Sequence, residues 1–155
     1  FKPRVGKVIS NDWEYYSYVL NRNYIGNHLE LANKNEMIDL LNSIPSVENG
    51  FIYKNYCYGS GSERQYFSDE NGKKIDAIRK QIESWKNADD ISDDMYFFLL
   101  ASLLESSDKL ANTASVYGAF LKHLKSTAQK TLILEPAYYT INTNVHDVYC
   151  QDANV

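Results

Sequence analysis

The chain has little that would tie it to a membrane, a disulfide scaffold or a metal. Its longest apolar stretch, "MYFFLLASLL" (95–104), falls well short of the roughly eighteen residues that a bilayer-spanning helix needs, so it reads as a core helix. The two cysteines, Cys57 and Cys150, stand far apart with no C-x-x-C pairing. That fits reduced thiols in a cytoplasm better than a disulfide framework or a zinc site. The three histidines, His28, His123 and His146, have no metal-ligand spacing among themselves or with the cysteines, and no metal is assigned. No serine, histidine and acid triad is argued, because such triads assemble only in space. There is no internal repeat, no low-complexity tract and no basic-then-apolar leader. A net charge of -4 excludes a uniformly basic nucleic-acid binder.

What is present is globular. With 155 residues, 44% hydrophobic and 23% charged, the chain is long enough for one packed domain. It starts at Phe1 on "FKPRVGKVIS", as though entering a strand already underway, which reads as a fragment of a longer protein. Charge is unevenly spread: 109–130 holds four lysines, one histidine and no acid. Thirteen tyrosines serve cores, interfaces and base stacking alike.

Periodicity gives the elements. "VGKVISND" predicts a strand over 5–10 that ends at Asn11 and Asp12, and "WEYYSYVLNRNYI" has helical spacing. A second helix is expected around "KNEMIDLLNSI", with Met37, Leu40, Leu41 and Ile44 on one face and Pro45 as its stop. "GFIYKNYC" reads as a strand that pairs back on "ERQYF" across "YGSGS", giving a β-hairpin near 51–67. The glycines there are not a phosphate-binding loop, since no Lys-Ser or Lys-Thr pair follows at the required spacing. Ser68 is placed to cap a helix reaching about Trp85, with Ile75, Ile78 and Ile82 buried; Ser92 caps another that is apolar enough to be the centre of the core. "NTASVYGAFLKHLKSTAQK" is expected to be helical, burying Val116, Phe120 and Leu124 with Lys122, Lys125 and Gln129 on another face. "TLILEP" predicts a strand stopped by Pro136, and "HDVYCQDANV" alternates as a strand that ends in Asp152. Two strands near the ends, each finishing in an aspartate beside an asparagine, enclose a mostly helical stretch. In open α/β sheets ligands sit beyond the carboxyl ends of the strands, where an acid accepts hydrogen bonds from ribose hydroxyls or an adenine amine.

These segments resemble the Dam-like DNA adenine methyltransferases, in particular those of type II restriction-modification systems. "KVISNDWEYYSYVLNRNYI" is similar to that family's second motif and following helix. "FIYKNYCYGSGSERQYFSDENGKKIDAIRKQIE" and "NTASVYGAFLKHLK" resemble its target-recognition insertion, and "VYCQDAN" resembles the strand whose acid meets the cofactor adenine. The resemblance implies a mainly α chain with a β-hairpin: a helical target-recognition insertion (28–145) flanked by a strand-helix piece (1–27) and a strand (146–155) of a Rossmann-like α/β methyltransferase sheet. It implies S-adenosylmethionine as cofactor, with Asp12 on the ribose, Trp13 against the adenine face and Asp152 on the exocyclic amine. Double-stranded DNA is the implied partner. The expected contacts are Lys54, Tyr56, Ser60, Ser62, Arg64 and Tyr66 from the hairpin, and Asn112, Thr113, Ser115, Tyr117, Lys122, Lys125 and Lys130 downstream. Arginine reads guanine edges and lysine mostly neutralises phosphate.

Each expected site has a plainer alternative. Asp12 is placed to cap the following helix, the hairpin tyrosines to pack on helices, the lysines to be solvated, and Asn112, Thr113 and Ser115 to form a helix break. The family's glycine-rich first motif and its catalytic D-P-P-Y do not occur in the sequence. The chain by itself is therefore expected to be inactive, with no catalytic residue of its own. The alternative from another class is a non-enzymatic helical DNA-binding or protein-interaction module. Oligomeric state is left open.

Overall fold

The computed structural model describes residues 2–114 and 119–154, so the expected contacts Ser115 and Tyr117, and the expected core residue Val116, lie outside the described residues. Five α-helices are described: α1 (Tyr15–Asn21), α2 (Lys34–Ser43), α3 (Phe51–Tyr56), α4 (Asp69–Asn87) and α5 (Asp93–Leu110). A π-helical turn, Arg22–Gly26, continues α1. The strands are β1 (Ile9–Asn11) and β2 (Asp147–Tyr149).

α5 forms because Ser92 accepts a hydrogen bond from the Met95 amide while Asp93 and Asp94 occupy the positive first turn. It is buried on almost every side from Met95 to Leu103, with Phe98, Leu99 and Ala101 fully enclosed. α4 starts the same way, the Ser68 hydroxyl accepting from the Asn71 amide, and sets Ile75, Ile78 and Ile82 against that core. α1, the π-helical turn and α4 pack around α5, and α2 packs on α4. α2 ends where Ile44 turns extended (φ -66, ψ 144) ahead of Pro45, as the residue before proline must. Its buried side is Ile38 and Leu41 with Met37 and Ile44 alongside, whereas Leu40, expected inside, is 52% exposed.

Three expected elements take other forms. The first is the hairpin. Phe51–Tyr56 is a helix, not a strand, because the Asp76 carboxylate reaches across from α4 and accepts the Ile52 and Tyr53 amides at 2.9 and 2.8 Å. Gly50 makes that approach possible: a Cβ there would lie 2.0 Å from the Asp76 carboxyl carbon. Only one parallel bridge, Cys57 with Phe67, closes the loop behind it. Its reversal is made by a 3-10 turn at Tyr58–Ser60 and by Gly61 at φ 84, a conformation glycine adopts without strain.

The second is the helix expected over 112–130. The described part of that stretch is irregular, with an antiparallel bridge between Thr113 and Phe120, followed by turns. Leu124 is only half-buried, and Lys122, Lys125 and Gln129 do not share a helix face. Side-chain bonds from the buried Asn112 to the backbone further along replace the helical ladder.

The third is "TLILEP". It is extended and alternates as a strand should, with Leu132 and Leu134 buried and Ile133 exposed, but it has no strand neighbour among the described residues. Helix side chains serve its amides instead. Asn71 accepts from Leu132 (2.9 Å), Asn42 from Leu134 (2.8 Å), Ser106 from Glu135 (3.0 Å) and Ser102 from Ala137 (2.9 Å). Buried backbone donors need partners, and here the partners are side chains.

β1 and β2 pair in parallel, with Ile9 opposite Asp147, Ser10 opposite Val148 and Asn11 opposite Tyr149. A parallel pair needs a long crossover, and the residues between them supply it.

Candidate functional site

Two groups of side chains coincide with the residues expected to act. The first lies at the carboxyl end of the parallel pair. β1 and β2 run side by side, so the acids that follow them, Asp12 and Asp152, leave the sheet at the same end. The pairing is prolonged past the strands: the Asp12 amide donates to the Tyr149 carbonyl (3.3 Å), and the Asn11 side chain donates to the Gln151 carbonyl (3.0 Å) and accepts its amide (3.2 Å). Asp12 accepts the Glu14 amide at 3.0 Å through Oδ1 and the Ser17 hydroxyl at 2.6 Å through Oδ2. The Ser17 hydroxyl, and then the Glu14 amide, hold its carboxyl below the usual aspartate value, so it is ionised at neutral pH. Asp12 is not the cap of α1, whose N-cap position is Glu14 with no side-chain cap bond; its carboxylate instead ties the turn ahead of the helix to Ser17 in the first turn. Trp13 stands beside it, 68% exposed. Asp152 accepts both the amide (2.9 Å) and the side-chain nitrogen (3.0 Å) of Asn154.

The second group joins the 57–67 loop to the stretch beyond α5. Tyr56, Tyr66 and Phe120 form a run of edge contacts, with ring centroids 5.7 and 5.2 Å apart, and the Arg64 guanidinium lies 5.7 Å from the Tyr56 ring centroid. Ser60 and Ser62 both donate to the Cys57 carbonyl (2.8 and 2.9 Å), so their hydroxyls shape the turn. Lys54, Arg64, Lys122 and Lys130 are exposed. Lys125 is half-buried and donates to the Thr113 carbonyl at 2.9 Å. Thr113 and Asn112 are buried, and the Asn112 side chain is wholly committed to backbone groups, so neither is a surface contact.

Cys57, at the root of the loop, is enclosed, and burial pushes its thiol up to about 12, which makes it inert at neutral pH. Among the described residues no cluster of histidine, cysteine or carboxylate side chains has metal-binding geometry. No described helix is long and apolar enough to cross a membrane. A shallow groove of about 710 Å³ lies elsewhere, between the start of α3 and α4, where Arg79 and Glu83 are already paired with each other.

Sequence reading missed the residues that hold this arrangement, Asp76, Asn71 and Asn42. For Asn71 a signal existed. It occupies the same stripe of α4 as Ile75, Ile78 and Ile82, and a buried asparagine on an apolar stripe must be bonded to something.

The family model for D12 class N6 adenine-specific DNA methyltransferases matches residues 1–155. Among curated proteins the chain is 62% identical over 154 residues to the type II methyltransferase M.NlaIII of Neisseria lactamica, covering 99% of this chain and 46% of that protein. It is 40% identical over 148 residues to the type II methyltransferase M.CviAII of Paramecium bursaria Chlorella virus 1, covering 95% of this chain and 44% of the relative. The modification methylase StsI of Streptococcus sanguinis is 33% identical over 154 residues, covering 95% and 24%. The chain thus spans less than half the length of each of these relatives. No solved structure matches it.

Proposed function

Because the chain belongs to the D12 class N6 adenine-specific DNA methyltransferase family, we propose that it is part of an S-adenosylmethionine-dependent, site-specific DNA adenine methyltransferase of a restriction-modification system. In this reading 1–27 and 146–155 contribute to the cofactor pocket and 28–145 recognises the DNA target. The observation that carries the cofactor half is the pairing of β1 with β2, which puts two acids at one end of a parallel sheet, where such sheets bind nucleotides.

The residues present suit the cofactor. Asp12 is ionised and, as a carboxylate, is an acceptor of the kind ribose hydroxyls need, Trp13 offers an exposed aromatic face for adenine, and Asp152 is an acceptor for the exocyclic amine. When bound, the cofactor supplies an electrophilic methyl group on a sulfonium. Exposed Ile9, Trp13 and Tyr149 leave apolar surface beside the strand pair, as expected of two strands taken from a larger sheet.

The DNA half rests on exposed cations: Arg64 from the loop and Lys122 from the stretch after α5, each next to a residue bonded by Asn112, together with Lys54 on α3 and Lys130 further along. In a duplex the adenine amino group is out of reach within the stack, so the target base is flipped before transfer. The chain contributes grip on the flanking duplex and holds no catalytic residue itself. The enzyme works in the cytoplasm, where its DNA and cofactor are found.

The test is methyl transfer by the full-length protein from labelled S-adenosylmethionine to duplex DNA. Label is expected on adenine N6. Asp12→Ala is expected to weaken cofactor binding about tenfold or more, from charge-assisted hydrogen bonds of roughly 1.5–3 kcal/mol. Label on cytosine, or cofactor affinity unchanged in a folded Asp12→Ala protein, refutes the assignment.

A further inference from the structure

The loop at 57–67 and the stretch at 119–130 are far apart in sequence, and one side chain bonds to both. The Asn112 amide donates to the Tyr66 carbonyl at 2.8 Å, and its carbonyl accepts the Leu121 amide at 2.9 Å. The side-chain Nδ2 donates to the Gln65 carbonyl (2.9 Å) and the Leu121 carbonyl (2.9 Å), while Oδ1 accepts the Lys125 amide (3.0 Å). Both Nδ2 hydrogens are therefore used, and the residue is fully buried. Its neighbours in these bonds carry the exposed cations: Arg64 precedes Gln65, and Lys122 follows Leu121.

We propose that Asn112 is a positioning residue for DNA binding: it fixes the Arg64-bearing loop against the Lys122- and Lys125-bearing stretch, so that the two grip the duplex as one rigid surface. This rests on the reading of the chain as part of a DNA methyltransferase. Asn112 itself does not touch DNA. The physical argument is one of preorganisation. Two cationic segments held at a fixed separation engage phosphates without a further ordering cost, whereas two independent segments each lose conformational freedom on binding. Asparagine suits the place because it alone offers two amide donors and an acceptor on so short a stem. Aspartate lacks the donors and leucine lacks everything but the volume. The Tyr66–Phe120 ring contact is a second, apolar tie across the same junction.

The experiment measures duplex binding by the full-length protein across a salt series. Asn112→Leu keeps size and charge but deletes the three side-chain bonds. Asn42→Leu is the control, since Asn42 pins Leu134 by the same chemistry and bonds to neither DNA-facing stretch. Phe120→Leu loosens the junction from its apolar side and serves if Asn112→Leu does not fold. Asn112→Leu or Phe120→Leu is expected to weaken binding about tenfold and to flatten the salt slope by about 0.9 for each phosphate that the protein ceases to neutralise, although every cation is retained. Asn42→Leu, when folded, is expected to leave the slope unchanged. If the wild-type protein binds and Arg64→Ala flattens the slope, but Asn112→Leu and Phe120→Leu do not, the positioning role is refuted and the DNA reading stands. A wild-type protein that does not bind duplex DNA refutes both.

Discussion

Removing the Asp76 carboxylate should unfold α3, the helix that sequence pattern takes for a strand. Its two oxygens accept the amides of Ile52 and Tyr53, which are donors in the first turn with no partner inside the helix. Asp76 is itself buried, at 9% exposure, so water does not readily replace it. Hydrogen bonds to a charged acceptor contribute about 1.5–3 kcal/mol each, and partial relaxation of the short helix recovers some of that, so Asp76→Ala is expected to cost about 3 kcal/mol. For a protein of this size about 2–4 °C of melting temperature is lost per kcal/mol, a fall of roughly 6–12 °C. Asp76→Asn keeps one acceptor and should lose about half as much. Circular dichroism melts of the wild type and the two variants give the answer. A loss below about 0.5 kcal/mol for Asp76→Ala, the range of ordinary surface substitutions, would mean that α3 does not depend on this cap.

Two further outcomes are expected. His146 is buried, and its Nδ1 accepts the Val8 amide at 3.0 Å beside β1; burial, and then the charge of Lys2, lowers its pKa from 6.5. The unfolded chain then binds the proton more tightly than the folded one, so stability is full above the ordinary value and is lost as pH falls from there through the folded value. Urea titrations between pH 7.5 and 5 should show this loss, and His146→Gln should remove that part of it; identical pH profiles for both proteins would exclude His146 as the cause. Ser92→Ala should cost about 1 kcal/mol by stripping the Met95 amide of its cap at the start of α5, read as a shifted urea midpoint at constant slope; no shift would show that the acids of the first turn suffice.

Much of the fold was legible where local chemistry decides. Ser68 and Ser92, each followed by two acids, mark the starts of α4 and α5, and the isoleucine spacing of α4 marks its buried stripe. The aspartates that follow the two strands were visible as a pair, because strand periodicity ends at each. The loop was not legible. "GFIYKNYC" has the aromatic, β-branched look of a strand, and only the cap supplied by Asp76 from the next helix makes it helical. Nor was the form of the described residues of 112–130, where helical spacing is overruled by bonds from Asn112 to Gln65, Leu121 and Lys125. Among the expected DNA contacts, Lys54, Arg64, Lys122 and Lys130 are exposed, whereas Lys125 is half-buried on the Thr113 carbonyl and Asn112 is fully buried.

The capped helices, the apolar core on α5 and the family likeness are written in residues that are neighbours along the chain or one helical turn apart, and so could be read without any structure. Long-range packing alone sets β1 beside β2, holds "TLILEP" by helix asparagines and serines in place of a strand, and brings the loop and the lysine-bearing stretch to one junction. Those outcomes turn on where single buried amides and carboxylates find partners many residues away, and a buried polar group must take whatever partner the packed chain brings to it.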